Sequence, residues 1–343
     1  MNFASDNVWG AAPEMLAALA AANGGAMPSY GEDPLTERLA EEMARVFERP
    51  VAVFPVISGT AANALALATI TPPHGAILCH EDAHIVTDEC GAPEFFTQGA
   101  RLATLSGHKG KLAPETIGQA LSRFVIGSAH SSQPAAISIT QATEWGTCYR
   151  PEEIAALAAV ARHHGLKLHM DGARFANAIA SLGCTPAEAT WKAGVDVLSF
   201  GATKNGALAA EAVIFFEPRD ARDFEYRRKR SGHLASKLRF VSAQLICALE
   251  ENRWLAWAAR ANAFARALTG GLRGLDGVEI ACAVEANAVF AWLPESMIQR
   301  LRAEGASFYD WSAPAGGRTL VRMVTSFATP EHDIERFLEI ACR

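Results

Sequence analysis

No apolar run in this chain is long enough to span a bilayer, and the opening stretch MNFASDNVWG has no basic run followed by an apolar core. Neither a membrane partner nor a secretory signal is expected, and a cytoplasmic protein is. No C-x-x-C pair occurs among the seven cysteines, which are scattered and odd in number. That argues against a disulfide framework or a zinc site and for reduced thiols, each most simply a small buried hydrophobe. There is no surplus of positive charge. A formal net charge of −6 offers no general attraction to nucleic acid or an anionic membrane. A Walker loop, a G-x-G-x-x-G spacing, low-complexity segments, internal repeats and a clustered His/Asp/Glu set for a metal are all missing. GGLRGLDG (270–277) holds closely spaced glycines without the dinucleotide spacing, and reads as a turn between a helix and a strand.

What is present suits a globular protein. The 343 residues, 50% hydrophobic and 20% charged, suffice for a substantial core and two domains. Strand-like runs alternate with helical ones. VAVFPVISG (51–59) reads as strand and turn, TAANALALATI as helix, AILCH (76–80) and AISIT (136–140) as strands. PEEIAALAAVARHHG (151–165) is a helix with Pro151 in its first turn, Glu152 and Glu153 at its positive end and Gly165 closing it. LKLHM (166–170), VDVLSF (195–200) and AEAVIFF (210–216) are further strands. The alternation predicts an α/β fold, a largely parallel sheet with helices on both faces, whose ligands bind beyond the carboxyl ends of the strands. After about residue 219 come a charged helical stretch, one long helix over roughly 240–268 and a smaller α+β tail. The expected division is 1–245, an N-terminal segment with the large domain, and 246–343, a small C-terminal domain.

SFGATKNG (199–206) places Lys204 just past an apolar strand. It is either a solvated strand end or a lysine held in a pocket for chemistry. HMDGAR (169–174) puts Asp171 at the end of the neighbouring strand, where it could cap a helix, pair with Arg174 or serve a site. An Asp and a Lys at the ends of adjacent strands suit pyridoxal phosphate (PLP). The lysine condenses with the cofactor's aldehyde, and the carboxylate keeps its ring nitrogen protonated. Ser58, Gly59 and Thr60 precede a helix and offer hydroxyls and free N–H groups to a phosphate, although an ordinary capped helix looks the same. His84 follows the strand AILCH and could lie flat against a ring, or be a structural histidine.

SDN near the start, YGEDP (30–34), SGTAAN (58–63), AHIVTDECGA, HMDGAR and SFGATKNG occur in that order. As an ordered set they resemble the L-threonine aldolases, PLP enzymes of the aspartate-aminotransferase fold, over nearly the whole chain. The resemblance implies that Lys204 binds the cofactor covalently and Asp171 partners its ring nitrogen. It implies that His84 stacks on the ring, that Ser58, Gly59 and Thr60 hold the phosphate, and that Arg174 lines the cofactor or substrate site. Ser5 would contact substrate, and Arg322, in LVRMVTSFAT, would grip its α-carboxylate through a bidentate fork. The implied reaction is retro-aldol cleavage of L-β-hydroxy-α-amino acids such as L-threonine, L-allo-threonine or L-phenylserine to glycine and an aldehyde. β-Elimination or transamination on the same lysine is the alternative, and a non-catalytic binding protein ranks last. One departure stands out. Where many members carry Glu-Asn-Thr-His, this chain has QATE, with Gln141 and Glu144 at the ends. The base for the β-hydroxyl is then Glu144, His84 or a water, with His130 an option if the alignment slips. The β-substituent preference is open, phenyl being as credible as methyl. YRRKRSGHLASK (226–237) reads as a solvated helix face, from which Lys229 or Arg230 could approach the phosphate or a neighbouring active site. The resemblance and the segment YGEDP imply a homodimer or homotetramer with shared sites.

Overall fold

The computed structural model describes residues Met1–Arg343. Seven strands build the main sheet: β1 (Ala52–Val56), β2 (Gly75–His80), β3 (Arg101–Leu105), β4 (Gln133–Thr140), β5 (Lys167–Gly172), β6 (Val197–Gly201) and β7 (Glu211–Phe215). Their order is β1-β7-β6-β5-β4-β2-β3. β7 runs antiparallel to both its neighbours, while β2 to β6 pair in parallel. The near-continuous apolar runs of β2, β6 and β7 leave every residue of those strands buried, as expected of strands covered on both faces. The α/β, mostly parallel fold expected from the sequence is what forms.

A second, antiparallel sheet joins β8 (Glu279–Ile280), β9 (Ala288–Pro294), β10 (Tyr309–Asp310) and β11 (Arg318–Val324) in the order β10-β11-β9-β8. It has its own apolar core with the helices Arg253–Leu272, Glu295–Ala303 and Glu331–Ala341. The first residues of the chain belong to this core. The Phe3 N–H donates to the Ser307 carbonyl at 2.8 Å, the Phe3 carbonyl accepts from Val324 N–H at 2.8 Å, and its ring meets Phe337 edge-on at 5.3 Å.

Two expectations need correcting. The single long helix over 240–268 is two helices, Arg239–Leu249 and Arg253–Leu272. Glu251 and Asn252, both at φ 54°, turn the chain between them. Each helix then packs on a different partner, the first on Pro13–Ala22 and Pro34–Val46, the second on Phe175–Leu182 and Glu331–Ala341. The segment 270–277 does turn from the second helix into β8, with Gly274 at φ 84° and Gly277 at φ 72°, but Gly270 and Gly271 still belong to the last turn of the helix, where a Cβ on Gly271 would collide with the Leu338 side chain. The glycine is there for close helix approach.

Phe3 is fully buried. Phe3→Ala should cost about 3–5 kcal/mol, the range for deleting a buried aromatic ring. Urea unfolding followed by fluorescence checks this, and a loss below about 1 kcal/mol would mean that the N-terminal segment is not anchored by this ring.

Candidate active site

The parallel strands end on one edge of the main sheet, and five of those ends deliver a residue to one place. Gly59 follows β1, His84 follows β2, Glu144 follows β4, Asp171 closes β5 and Lys204 follows β6. Together with Ser5, Asn63, Arg174 and Arg322 they line a cavity of about 650 Å³. The small sheet closes it with Tyr309, Asp310, Trp311 and Arg322. Eight of the residues singled out in the sequence, from Ser5 to Arg322, therefore meet in one place.

Lys204 sits on a single helical turn, Thr203–Asn205, and makes no ion pair or hydrogen bond within the protein. Burial, and next the positive charge of Arg174, pull its amine below the ordinary lysine range. The turn is held from behind by Glu211 on β7, whose Oε2 accepts from Ala202 N–H at 3.1 Å. Burial pushes the Glu211 carboxyl up to about 7. Asp171 accepts from Ala173 N–H at 2.9 Å and from the Asn63 amide at 2.8 Å. It does not pair with Arg174. That guanidinium forks onto Asp6 instead, at 2.7 Å from Nε and 2.9 Å from Nη2. Burial raises the Asp6 carboxyl, but the charge and hydrogen bonds of Arg174 outweigh it and hold Asp6 below the ordinary carboxylate range.

Glu144 lines the cavity. Its Oε1 accepts from His84 N–H at 3.0 Å and from the Thr140 hydroxyl at 2.8 Å, while its buried Oε2 has no partner. Burial pushes this carboxyl above the ordinary range. His84 Nδ1 lies 2.9 Å from Glu89 Oε1, a hydrogen bond that raises the imidazole's pKa. Arg322 has no carboxylate partner. Its guanidinium stands 5.3 Å from the Tyr309 ring centre and 5.0 Å from Trp311, with Nε buried and unbonded.

Some expectations fall elsewhere. His130 is exposed and outside the cavity, so a slipped alignment does not bring it to the site. Gln141 is buried and braces Tyr149 through both backbone groups, at 2.8 and 2.9 Å. Ser58 spends its hydroxyl on capping the helix Gly59–Ile70, accepting from Ala61 N–H at 3.3 Å. Lys229 lies over the Tyr30 ring at 4.3 Å, and Arg230 borders a separate surface cavity beside Phe95. Neither lines the main cavity. Asp6, Asn63, Glu89 and Glu211 were not singled out, although the first three stand inside the motifs SDN, SGTAAN and DECGA. Only Glu211 lies outside any quoted motif, and a carboxylate opening the apolar run EAVIF was the signal for it.

These residues fit PLP by their own geometry. Lys204 is a buried amine whose hold on a proton is weakened, with no partner in the protein. Asp171 offers a carboxylate at the sheet edge. The Gly59 and Thr60 N–H groups open a helix without a protein acceptor, and a Cβ on Gly59 would meet only open space.

The comparisons agree with this geometry. A family model described as beta-eliminating lyase matches residues 2–296. A low specificity L-threonine aldolase of a Pseudomonas species is 48% identical, covering 92% of this chain and 91% of that one. Another from Pseudomonas aeruginosa is 46% identical over 99% of this chain and 96% of its own length. A solved Leishmania major threonine aldolase superposes with a TM-score of 0.94 at 29% identity, covering 99% and 98% of the two chains. A chain described as SPT with PLP superposes at 0.72 with 17% identity, over 100% of this chain and 86% of its own, a likeness of fold alone.

Asp6→Asn would leave the Arg174 charge buried without its counter-ion, a loss of about 3–5 kcal/mol at neutral pH for a pair this enclosed. Because the folded pKa of Asp6 is depressed, its contribution is complete above the ordinary carboxylate range and is lost as pH falls through the lowered value. The stability gap between parent and variant should therefore close in acid. Unfolding curves taken across that range check it, and a gap that does not vary with pH would show that the pair's charge is not what stabilises the fold.

Proposed function

This chain belongs to the beta-eliminating lyase family, among its low-specificity L-threonine aldolases, and on that premise we propose how its residues divide the work. The protein is a PLP-dependent aldehyde-lyase that cleaves L-β-hydroxy-α-amino acids to glycine and an aldehyde. The observation that carries the assignment of roles is the convergence of Lys204, Asp171 and an unpaired Arg322 on one cavity. Bound there, the cofactor supplies an aldehyde for imine formation and a conjugated ring that takes up the electron pair of a bond broken at the substrate's α-carbon.

Each residue has a separate task. Lys204 would offer its amine for the imine, its hold on a proton weakened by burial and the Arg174 charge. Asp171 would hold a proton on the ring nitrogen, and His84 would stack on the ring. The N–H groups of Gly59 and Thr60 would hold the phosphate, joined by the Ser58 hydroxyl, which caps the helix as an acceptor and keeps its own hydrogen to donate. Arg322 takes the substrate carboxylate in its fork, helped by the Ser5 hydroxyl, and Arg174 holds the field around Lys204. Glu144 is the base. Its Oε1 is already used twice, so the unpartnered Oε2 accepts the β-hydroxyl proton as Cα–Cβ breaks and the aldehyde leaves. Protonation at Cα then gives glycine. A second reading makes His84 the base, favoured by the absence of any protein partner for its Nε2.

Tyr309 and Trp311 line the cavity and give it aromatic surface that would suit the β-phenyl of phenylserine as well as the methyl of threonine. The division 1–245 and 246–343 describes two units, with Phe3 reaching across from the first to the core of the second. We further assign the protein to the cytoplasm, where its seven free thiols are at home. We assign it to a homodimer or homotetramer, with the exposed Tyr30 and Ile57 as candidate contacts. No helix is long and apolar enough to cross a membrane.

Two substitutions test the roles. Lys204→Ala should abolish glycine release from L-threonine and L-phenylserine and remove the visible imine absorbance. Turnover retained in the variant would sink the assignment. Glu144 has a raised pKa and works as a base only when ionised, so activity should climb with pH through that value. Glu144→Gln should lower kcat by roughly 10²–10⁴-fold and erase that limb of the profile. A pH–rate profile unchanged in shape would transfer the base to His84.

A further inference from the structure

Glu89 touches neither the cavity nor solvent. Its side chain is fully buried, on the segment that follows the short helix bearing His84. Yet it stands at the centre of a hydrogen-bonded chain that joins two residues of the site. Glu89 Oε1 accepts from His84 Nδ1 at 2.9 Å and from Asn63 Nδ2 at 2.9 Å. The same Asn63 nitrogen donates its other hydrogen to Asp171 Oδ2 at 2.8 Å. The amide has no freedom to turn over, since its oxygen would then face two carboxylates. The second carboxylate oxygen of Glu89 and the Asn63 carbonyl oxygen are buried with no partner. A buried carboxylate that directs both of its bonds through one oxygen, and leaves the other bare, is held for what that one oxygen does.

We infer that Glu89 is a positioning residue of this site: its carboxylate fixes the His84 proton on Nδ1, leaves Nε2 as the ring nitrogen free of the protein, and through Asn63 ties the ring to Asp171. The assignment rests on the proposed role of His84 beside the cofactor, and it holds whether Glu144 or His84 is the base. A carboxylate on Nδ1 does two things to an imidazole. It selects the tautomer, and it stabilises the protonated ring. His84 is also faced by Asp171 from β5, by Lys204 from the turn after β6 and by Glu144 from the loop after β4, with Asp82 and Asp88 on its own segment bordering the cavity. Among these, the Glu89 hydrogen bond acts most strongly on His84, ahead of burial and of the Asp171 and Lys204 charges. Asn63 couples the two ends. A proton gained or lost at His84 alters the strength of its hydrogen bond to Glu89, and Asn63, bonded to both carboxylates, links that change to the one assigned to the ring nitrogen.

Glu89→Gln separates charge from shape. A glutamine oxygen in the Oε1 position keeps both hydrogen bonds, and its amide occupies the bare Oε2 position. The full-length protein, with and without cofactor, is treated with diethyl pyrocarbonate across a pH series, and the rate of His84 modification is followed by mass spectrometry. The expected result is a His84 midpoint above that of a free imidazole in the parent, lowered by about one unit or more in Glu89→Gln, a tenfold loss of proton affinity. Glu89→Asp should restore part of it. In the loaded enzyme kcat should fall while KM for L-threonine changes little, because Glu89 does not touch substrate. An unchanged midpoint in a folded Glu89→Gln protein overturns the inference, whatever the enzyme cleaves. A lowered midpoint in a protein that releases no glycine supports the positioning role and sinks the functional reading instead. Should Glu89→Gln lose its cooperative unfolding transition, Glu89→Asp decides: a smaller drop in the midpoint supports the inference and no drop overturns it.

Discussion

The Asp6–Arg174 ion pair is the constraint on which the site's arrangement depends. Arg174 comes from the large sheet, two residues after the last residue of β5. Asp6 comes from the N-terminal segment, which is stitched to the small sheet at Phe3. Asn287, at the start of β9, donates to Asp6 at 3.1 Å and to the Thr325 carbonyl at 2.7 Å. One buried carboxylate therefore binds the two sheets to each other beside Lys204. An isolated charge there would be expensive. Paired twice with Arg174 and hydrogen-bonded by Asn287 and Ser5, it ties the small sheet, which carries Arg322, to the large sheet, which carries Lys204 into the same cavity. The pair also bears on Lys204: burial does most to lower its hold on a proton, the Arg174 charge adds to that, and the Asp6 charge opposes it.

Much of this was legible in the residues. Strands read from apolar runs, helices from caps and periodicity, and the proposed site from polar residues that interrupt those runs at their carboxyl ends. Lys204 and Asp171 were visible because a charge directly after LHM, or three small residues beyond VLSF, needs a reason. The long helix was misread because nothing in the composition of EEN demands a left-handed turn. The break is imposed by tertiary packing, as the two halves cover different helices. Gly271 was misread for a similar reason. A glycine chosen for the closeness of Leu338 looks like a glycine chosen for a turn until the partner helix is known.

Asp6, Asn63 and Glu89 show a different limit. Each lay inside a stretch noticed for its neighbour, Ser5, Ser58 or His84. A sequence displays which residues could touch a ligand, but a residue that acts by holding another declares itself only through contacts distant in the chain. Asn63 meets Asp171 across 108 positions and Asp6 meets Arg174 across 168. No periodicity or spacing rule reaches that far. The structure supplies these residues because buried polar atoms must find partners, and following the partners leads from the cavity wall to the groups behind it.

The two arginines of the cavity illustrate how burial sorts roles. Both are long cations brought to one pocket, and each repels the other's charge. Arg174 gives two of its five N–H groups to Asp6, so its charge is already balanced while the remaining donors still face the cavity. Arg322 lies against Tyr309 and Trp311, which stabilise its charge from the ring faces without occupying its N–H groups. Burial and the nearby Arg174 both press its pKa down, so its charged form is the one with something to gain from a carboxylate. An amino-acid substrate brings that carboxylate. On the proposed roles, its arrival would pair the one cavity arginine that has no carboxylate partner in the protein, and the fork would set where the α-carbon stands relative to Lys204 and Glu144, so that the binding energy of a remote group orients the bond that breaks.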